Sequence, residues 1–215
     1  NNISLLGDDI IIAGSAVLDG QLSDFAMKHN LSGFEFLSCI PGTIGGGISM
    51  NAGCFKKEFK DILLSIQAIN KTGNIITIKS SDIKFEYRHN NLPEDLIFLS
   101  ASFKGIKGQS KEIKDEMNRL KIEKEKNQPT KIKTSGSTFK NPTLGTQKKV
   151  WELIKESVCL EKNFGDAYIS NKHCNFFINK GEATFDDMNK LINYVADEVF
   201  KKTGIKLEKE IKILE

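Results

Sequence analysis

The sequence predicts an α+β fold in two domains, with strands concentrated in the first half and amphipathic helices in the second. Before residue 106, short apolar runs alternate with turn residues, which is typical of buried strands. After residue 110, charged stretches carry apolar residues at helical spacing. Residues 105–110 have the composition of a linker. We therefore place the two domains at residues 1–106 and 107–215.

The first half is predicted to form several strands and one helix. A helix is predicted over residues 19–30, because Leu22 and Ala26 share a face. Gly33 follows its end. The predicted strands lie at residues 10–13, 62–69, 74–78 and 96–103. The second and third of these flank a Lys-Thr-Gly turn, which predicts a hairpin.

The second half is predicted to contain three helices and two strands. The first helix follows Ser110 as its cap, and the third opens at the capping box of Thr184 and Asp187 and ends at Gly204. The remaining predictions are a helix over residues 149–158 and strands over residues 175–179 and 205–213. The last strand is predicted because apolar and charged residues alternate along it.

Composition excludes several classes of protein. Apolar residues make up 39% and charged residues 27%, with a net charge of +3, which is too balanced to indicate nucleic-acid binding. No apolar run approaches the ~20 residues of a membrane span. The cysteines, Cys39, Cys54, Cys159 and Cys174, are widely spaced. That spacing predicts no metal site and no disulfide framework, and it favours a reducing cytoplasm.

The stretch from residue 40 to residue 53 is the most informative part of the sequence. Five of its residues are glycine, which lets a backbone approach a ligand closely. Such a run can cradle a phosphate or a flat ring. A tight loop between two buried strands explains it equally well.

Six motifs in chain order resemble the UDP-N-acetylenolpyruvoylglucosamine reductase family. They are Ile40-Pro-Gly-Thr-Ile-Gly-Gly with Met50-Asn-Ala-Gly53, Tyr87-Arg88, Gly136-Ser-Thr-Phe-Lys-Asn-Pro142, Trp151-Glu-Leu-Ile154, Lys172-His-Cys-Asn-Phe-Phe-Ile-Asn179 and Leu207-Glu-Lys-Glu-Ile211. The resemblance implies the second half of a vanillyl-alcohol-oxidase-type FAD-binding domain, followed by an α+β substrate domain. It also implies FAD and NADPH as cofactors and a UDP-sugar enolpyruvyl ether as substrate.

The resemblance also assigns the binding residues. Those implied to bind the cofactor are Ile40, Pro41, Gly42, Thr43, Gly45, Gly46, Asn51, Ala52 and Gly53. Those implied to bind the substrate are Tyr87, Lys140, Asn141 and His173. The sequence departs from the family pattern at three places, since Cys39 stands where glycine is usual, Gly47 where alanine is usual and Asn90 where serine is usual.

Three residues are candidates for catalysis by the same resemblance. Hydride addition to an enolpyruvyl ether builds negative charge that spreads into a carboxylate, so a cation must stabilise it and an acid must protonate the carbon. Arg88 offers a planar guanidinium, Ser137 is the implied proton donor, and Glu210 is implied to position or polarise the substrate carboxylate. Taken alone, Ser137 would be an ordinary turn residue and Glu210 part of a solvated strand face. Arg88 could pair with Glu86 or Asp82 at the surface, but a chain with only two arginines favours a functional role.

Two other functions stay open at this stage. An oxidase or dehydrogenase of the same fold would act on a small alcohol or lactate, but the Gly136 and Leu207 motifs argue against it. A catalytically silent module would only bind a nucleotide or a partner. We expect a cytoplasmic monomer that binds neither nucleic acid nor membrane.

Overall fold

The computed structural model describes residues 2–130 and 132–214. The strands are β1 Ile3–Leu6, β2 Ile10–Gly14, β3 Leu31–Ser32, β4 Gly53–Cys54, β5 Lys57–Glu58, β6 Leu63–Ile69, β7 Ile75–Lys79, β8 Phe85–Glu86, β9 His89–Asn90, β10 Ile97–Lys104, β11 Ile106–Lys107, β12 Lys133–Ser137, β13 Asn163–Phe164, β14 Ala167–Ile169 and β15 Phe176–Asn179. The helices are α1 Asp19–Lys28, α2 Ile44–Ser49, α3 Ser110–Asn127, α4 Val150–Ser157 and α5 Phe185–Thr203. Short 3₁₀ turns cover Glu35–Cys39, Phe59–Asp61 and Ser80–Asp82. The mixture confirms the predicted α+β class.

The chain divides into two compact units, Asn1–Lys124 and Glu125–Glu215. The boundary proposed from the sequence, near residue 106, lies before α3, whereas the observed division falls near the end of that helix. The start of α3 is fixed to the first unit, because the Ser110 hydroxyl donates to the Met27 carbonyl at 2.6 Å. Near its other end, Lys124 donates to the Cys39 carbonyl. The linker-like composition of residues 105–110 therefore did not indicate where the division between the two units falls.

The first unit is built on a five-stranded antiparallel sheet with the order β1-β2-β10-β6-β7. Four of its strands correspond to those predicted, and the hairpin between β6 and β7 is present. Phe103 on β10 lies under the sheet and meets Phe34 and Phe59 edge to face, at centroid distances of 6.4 and 6.1 Å. The glycine-rich stretch packs against this aromatic cluster, with Gly47 next to the Phe59 ring.

The second unit packs helices against a four-stranded antiparallel sheet with the order β12-β15-β14-β13. Helix α5 begins where predicted, with the Thr184 hydroxyl accepting from the Asp187 amide at 3.1 Å and the Asp187 carboxylate accepting from the Thr184 amide at 3.0 Å. It ends at Gly204, whose φ of 71° is the left-handed conformation of a helix C-cap. Its buried stripe comprises Leu191, Ile192, Val195 and Val199.

The predicted strand over residues 205–213 is wrong in extent. The structure contains a single bridge there, between Phe139 and Lys209, with hydrogen bonds from the Lys140 amide to the Glu208 carbonyl and from the Glu210 amide to the Thr138 carbonyl. Toward residue 205 the opposite segment runs into Pro142, which has no amide proton to donate. Toward residue 213 the Thr138 amide already donates to the Asn175 carbonyl, at 2.8 Å. The alternation of apolar and charged residues predicted which side chains face inward. A strand, however, also needs a neighbouring segment that can form hydrogen bonds along its whole length.

No helix in the described part of the chain is both long and apolar enough to cross a membrane.

Candidate functional site

The glycine-rich stretch forms the short helix α2 and the turns on either side of it. Thr43 caps this helix, and its side chain and carbonyl accept from the amides of Gly46 at 3.4 Å and Gly47 at 2.8 Å. The amides of Ile44 and Gly45 donate to carbonyls of the loop after β2, at 2.9 and 2.8 Å. Four consecutive amides are thus used inside the protein. They do not form the phosphate cradle that the glycine content suggested as one alternative.

The glycines of this stretch have different reasons for being glycine. A Cβ atom on Gly47 would lie 2.2 Å from the Phe59 ring, and one on Gly53 would lie 2.3 Å from the Lys57 carbonyl. Packing inside the unit therefore requires both. Gly46 is exposed, and a Cβ there would meet only the Thr43 hydroxyl, at 3.5 Å. The outward face at Gly46 is bare backbone, which fits the approach of a flat ring.

The other predicted cofactor residues lie around this face. Ile40 is half-buried, and Pro41 and Gly42 are exposed. A Cβ on Gly42 would lie 3.0 Å from a carboxylate oxygen of Asp19, and one on Gly45 would lie 3.2 Å from the Ser15 side chain. These positions therefore have little room for side chains.

Asn51 is a structural centre and not a surface contact. It is fully buried with a left-handed φ of 43°. Its amide nitrogen donates to the Glu58 carboxylate at 3.0 Å and to the Glu86 carbonyl at 3.1 Å, and its oxygen accepts from the Lys60 amide at 3.1 Å. The neighbouring Ala52 is also buried. The side chain of Asn51 therefore holds the stretch in place, which leaves its predicted role at the cofactor untested.

Arg88 occupies the tip of the hairpin formed by β8 and β9. Its backbone is left-handed, with φ of 54°. Its guanidinium donates to the Gly53 carbonyl at 2.9 Å and lies 5.1 Å from the ring centroid of Tyr87. The arginine is thereby fixed to the end of the glycine-rich stretch.

Asn90 anchors the same hairpin from below and was not predicted as a site residue. It is buried, and its amide nitrogen donates to the carbonyls of Ile48 and Ser49, both at 2.9 Å. These carbonyls lie at the C-terminal end of α2, where intrahelical donors run out. The Leu92 amide donates to the Asn90 oxygen at 3.0 Å. Asn90, which stands where serine is usual, therefore holds the C-terminal end of α2 against the hairpin. The only signal for this role in the sequence was that Asn90 closely follows Arg88.

Asp19 is the one strongly perturbed carboxyl group beside this stretch among the described residues. It is fully buried, neither oxygen has a hydrogen-bond partner among those residues, and its backbone amide donates to the Gly42 carbonyl at 3.1 Å. Burial raises the pKa of this carboxyl group to about 7. Asp19 therefore keeps its proton well above the pH at which an ordinary aspartate loses it.

In the second unit, Ser137 ends β12 and opens the loop that carries the remaining candidates. Asn175 holds that loop. Its carbonyl accepts from the Thr138 amide at 2.8 Å, while its side chain accepts from the Phe139 amide at 3.0 Å and donates to the Phe139 carbonyl at 2.9 Å. Asn175 was part of a recognised motif but was not singled out, because its side-chain partner Phe139 lies 36 residues earlier.

The same loop is paired with the segment that carries Glu210. The Glu210 amide donates to the Thr138 carbonyl at 2.9 Å. The structure therefore brings the backbone of Glu210 next to the residue that follows Ser137. Lys140, which the resemblance implies to bind the substrate, forms an ion pair with Glu208 at 2.6 Å.

The remaining predicted substrate residues have structural contacts as well. The Asn141 side-chain oxygen accepts from the Val150 amide at the start of α4, at 3.1 Å. The His173 ring lies against Phe176 with a centroid distance of 4.9 Å, and it accepts from the Asn175 amide at 3.3 Å. Burial lowers the pKa of His173. No cluster of three potential metal ligands occurs within residues 2–130 and 132–214.

Comparison with known proteins identifies the class first. Residues 2–79 match the family profile described as "FAD binding domain", and residues 128–214 match "UDP-N-acetylenolpyruvoylglucosamine reductase, C-terminal domain". Two-domain flavoproteins are the class that this pair of matches defines.

Individual relatives narrow the class to one family. The chain is 66% identical over 214 residues to the UDP-N-acetylenolpyruvoylglucosamine reductase of Pelagibacter ubique, spanning all of this chain and 71% of that protein. It is 45% identical to the enzyme of the same name from Rickettsia canadensis, over 99% of this chain and 71% of that one. The crystal structure of the MurB reductase from Thermus caldophilus superimposes with a TM-score of 0.84 at 29% identity, covering 95% of this chain and 72% of that chain. The chain belongs to the UDP-N-acetylenolpyruvoylglucosamine reductase family.

Proposed function

We propose that this chain is an FAD enzyme that uses NADPH to reduce UDP-N-acetylglucosamine enolpyruvate to UDP-N-acetylmuramate, a step of peptidoglycan precursor synthesis. Family membership supports the reaction, and the match to an FAD binding domain supports the cofactor. When bound, FAD accepts a hydride from NADPH and delivers one to the substrate. The work left to the protein is to bind, to orient and to supply charge and a proton.

Arg88 is proposed to hold the substrate carboxylate as negative charge develops on it. The left-handed backbone and the contact with the Gly53 carbonyl fix the direction of the guanidinium. A planar guanidinium matches a carboxylate in a bidentate geometry, and such a contact strengthens as the carboxylate gains charge. The bare face at Gly46 in the same unit is proposed to receive the flat flavin ring.

Ser137 and Glu210 are proposed as the proton donor and the group that polarises the substrate. The single observation that carries this assignment is the hydrogen bond from the Glu210 amide to the Thr138 carbonyl, 2.9 Å long. It holds two residues that are far apart in sequence in one small region, as a joint role requires. Asn175 fixes the loop from the other side.

The test measures the two half-reactions, flavin reduction and flavin reoxidation, separately in the Ser137→Ala variant. Flavin reduction by NADPH is expected to stay nearly unchanged, because it does not use the proton donor. Flavin reoxidation by the enolpyruvyl substrate is expected to slow by ~10²–10⁴-fold, the range for loss of a general acid. Stopped-flow absorbance of the flavin measures both steps. Ser135→Ala, an exposed serine on the same strand, is the matched control and should alter neither step. Equal slowing of both steps by Ser137→Ala would contradict the assignment.

The same experiment distinguishes the rival functions. A silent module would show no reduction of the flavin by NADPH after reconstitution with FAD. An oxidase of the same fold would be reduced by a small hydroxy acid and would not be reoxidised by the enolpyruvyl ether.

We also propose that the protein is a monomer in the cytoplasm. The four cysteines are all free thiols, which suits a reducing compartment. Sedimentation of the purified chain tests the oligomeric state.

A further inference from the structure

Two cysteines flank the glycine-rich stretch, and the fold brings them together. Cys39 ends a 3₁₀ turn directly before Ile40, and Cys54 lies on β4 directly after Gly53. The Cys54 thiol donates to the carbonyl of Phe36 at 3.3 Å. Because Phe36 belongs to the turn that ends in Cys39, this bond places the Cys54 sulfur against that turn.

The Phe36 oxygen that the Cys54 thiol contacts lies three residues before Cys39 in the same 3₁₀ turn, and each thiol perturbs the pKa of the other. The Cys54 thiol has one proton, which can go either to the Phe36 carbonyl or to the Cys39 sulfur. The hydroxyl of Ser38 lies 3.8 Å from the Cys39 sulfur and is a further hydrogen-bond partner. Cys39 is buried and Cys54 is half-buried, so access from solvent is through Cys54.

Positive charge surrounds the pair. Lys124 on α3 donates to the Cys39 carbonyl, Lys121 acts on Cys39 from the same helix, and Arg88 acts on Cys54 from the neighbouring hairpin. The hydrogen bond with Cys54, supported by these lysines, lowers the pKa of Cys39 to about 6 against the opposing effect of burial. The hydrogen bond with Cys39 and burial raise the pKa of Cys54. The two shifts run in opposite directions, which favours a thiolate at Cys39 and a thiol at Cys54.

We propose that Cys39 and Cys54 are a peroxide-sensitive dithiol that closes into an intramolecular disulfide. The Cys39 thiolate attacks one oxygen of hydrogen peroxide, the O–O bond breaks, and Cys39 becomes a sulfenic acid while hydroxide leaves. The Cys54 sulfur then attacks the Cys39 sulfur and the S–O bond breaks. The Cys54 proton goes to the departing hydroxide. Overall, two thiols and one peroxide give one disulfide and two waters, with the sulfurs oxidised and the peroxide oxygens reduced.

The disulfide would tie together the two ends of the 40–53 stretch. This inference does not depend on the proposed reaction, because it uses only the two thiols and the groups around them. The other cysteines, both in the second unit, serve as internal standards. Cys159 is exposed, and Cys174 is buried with its thiol donating to the Trp151 carbonyl at 3.0 Å.

Mass spectrometry after peroxide treatment and thiol alkylation tests the proposal. Trypsin cuts after Lys28 and Lys56, and no lysine or arginine lies between them, so both cysteines fall in one peptide. That peptide should lose two hydrogen atoms and take up no alkylating reagent. The loss should persist in Cys159→Ser and vanish in Cys39→Ser and Cys54→Ser. Thermal unfolding of each variant shows whether it remains folded.

The pH dependence of the reaction gives a second readout that needs no variant. The rate of disulfide formation should rise ~10-fold from pH 5 to pH 7 and then level off, because the reacting thiolate is then fully formed. A rate that keeps rising through pH 9, an oxygen added to the peptide without loss of two hydrogens, or dimers linked through Cys159 would each overturn the proposal.

Discussion

Single residues carry the sharpest expectations, and the two arginines form a natural pair for comparison. Arg88 contacts the Gly53 carbonyl, whereas Arg119 forms ion pairs with Glu116 and Glu123 on the exposed face of α3, at 2.7 and 2.8 Å. Lysine keeps the charge but loses the planar fork. A role that depends only on charge would therefore survive Arg88→Lys, and a bidentate grip would not.

Arg88→Lys is expected to lower kcat of the enolpyruvyl half-reaction by at least ~10-fold, equivalent to roughly 1.4 kcal/mol. The substrate Kd should change less, because the grip strengthens only as charge develops. Arg119→Lys is the control and should leave both constants unchanged. Single-turnover kinetics with a measured flavin content decide it. If kcat is unchanged and only Kd rises, Arg88 serves docking alone.

The buried carboxyl group of Asp19 predicts a pH-dependent stability. Its pKa in the folded chain, about 7, lies above its ordinary value of 3.8. Between those two values the unfolded chain releases the proton while the folded chain keeps it. Stability must therefore fall as pH rises through this window and level off above it.

Asp19→Asn removes that dependence, since a neutral amide has the shape of the protonated acid. The variant should match the native chain near pH 4 and exceed its stability by at least roughly 1 kcal/mol at pH 8. Urea unfolding at several pH values measures it. Asp24→Asn, an exposed residue of the same helix, should change nothing. A parallel pH profile for Asp19→Asn would mean that Asp19 is ionised in the fold.

Among the elements, α2 predicts two different outcomes for neighbouring glycines. Gly46→Val should keep the fold and lose bound flavin, because the side chain would fill the bare outer face. Gly47→Ala should destabilise the unit, because its Cβ would lie 2.2 Å from the Phe59 ring and overpacking typically costs about 1–3 kcal/mol. Flavin content and thermal unfolding of the two variants separate these effects. Full FAD content in Gly46→Val would make the stretch purely structural.

Sequence patterns predicted elements well where the signal was local. The cap at Thr184, the stop at Gly204 and the hairpin between β6 and β7 each depend on residues a few positions apart. The last predicted strand failed because its length depends on a distant segment, in which Pro142 lacks an amide proton and the Thr138 amide donates to the Asn175 carbonyl instead. Likewise, Asn90 binds carbonyls 42 and 41 residues away, and no local pattern indicates such a partner. The catalytic assignments came from resemblance and stay predictions. The structure adds one contact near two of these residues, the hydrogen bond from the Glu210 amide to the Thr138 carbonyl, next to Ser137.

For the molecule as a whole, each unit has an apolar core of its own. We therefore expect a substitution in one core to destabilise that unit and not the other. One apolar cluster lies entirely within residues 3–103 and the other within residues 139–211. Leu191→Ala, at a fully buried position of α5, should cost about 2–5 kcal/mol. Hydrogen exchange should speed up at amides of the second unit and stay unchanged in the first.

Phe200→Ala is the control on the same helix, because that side chain is 55% exposed. It should leave exchange nearly unchanged in both units. Faster exchange throughout the chain in Leu191→Ala would show that the two cores unfold as one.

The pairing that holds the Ser137 loop also sets a time at which the loop can form. The contact between Lys140 and Glu208 spans 68 residues. At ribosomal rates of about 5–20 residues per second, roughly 3–14 s pass between the synthesis of one side of this pairing and the other. During that interval the nascent chain carries Ser137, and Asn175 only from about the midpoint onward, but it lacks the segment around Lys209 that closes the loop. Completion of the candidate catalytic loop therefore has to follow the synthesis of α5, and a ribosome stalled directly after α5 would hold a chain whose second unit still lacks this closure.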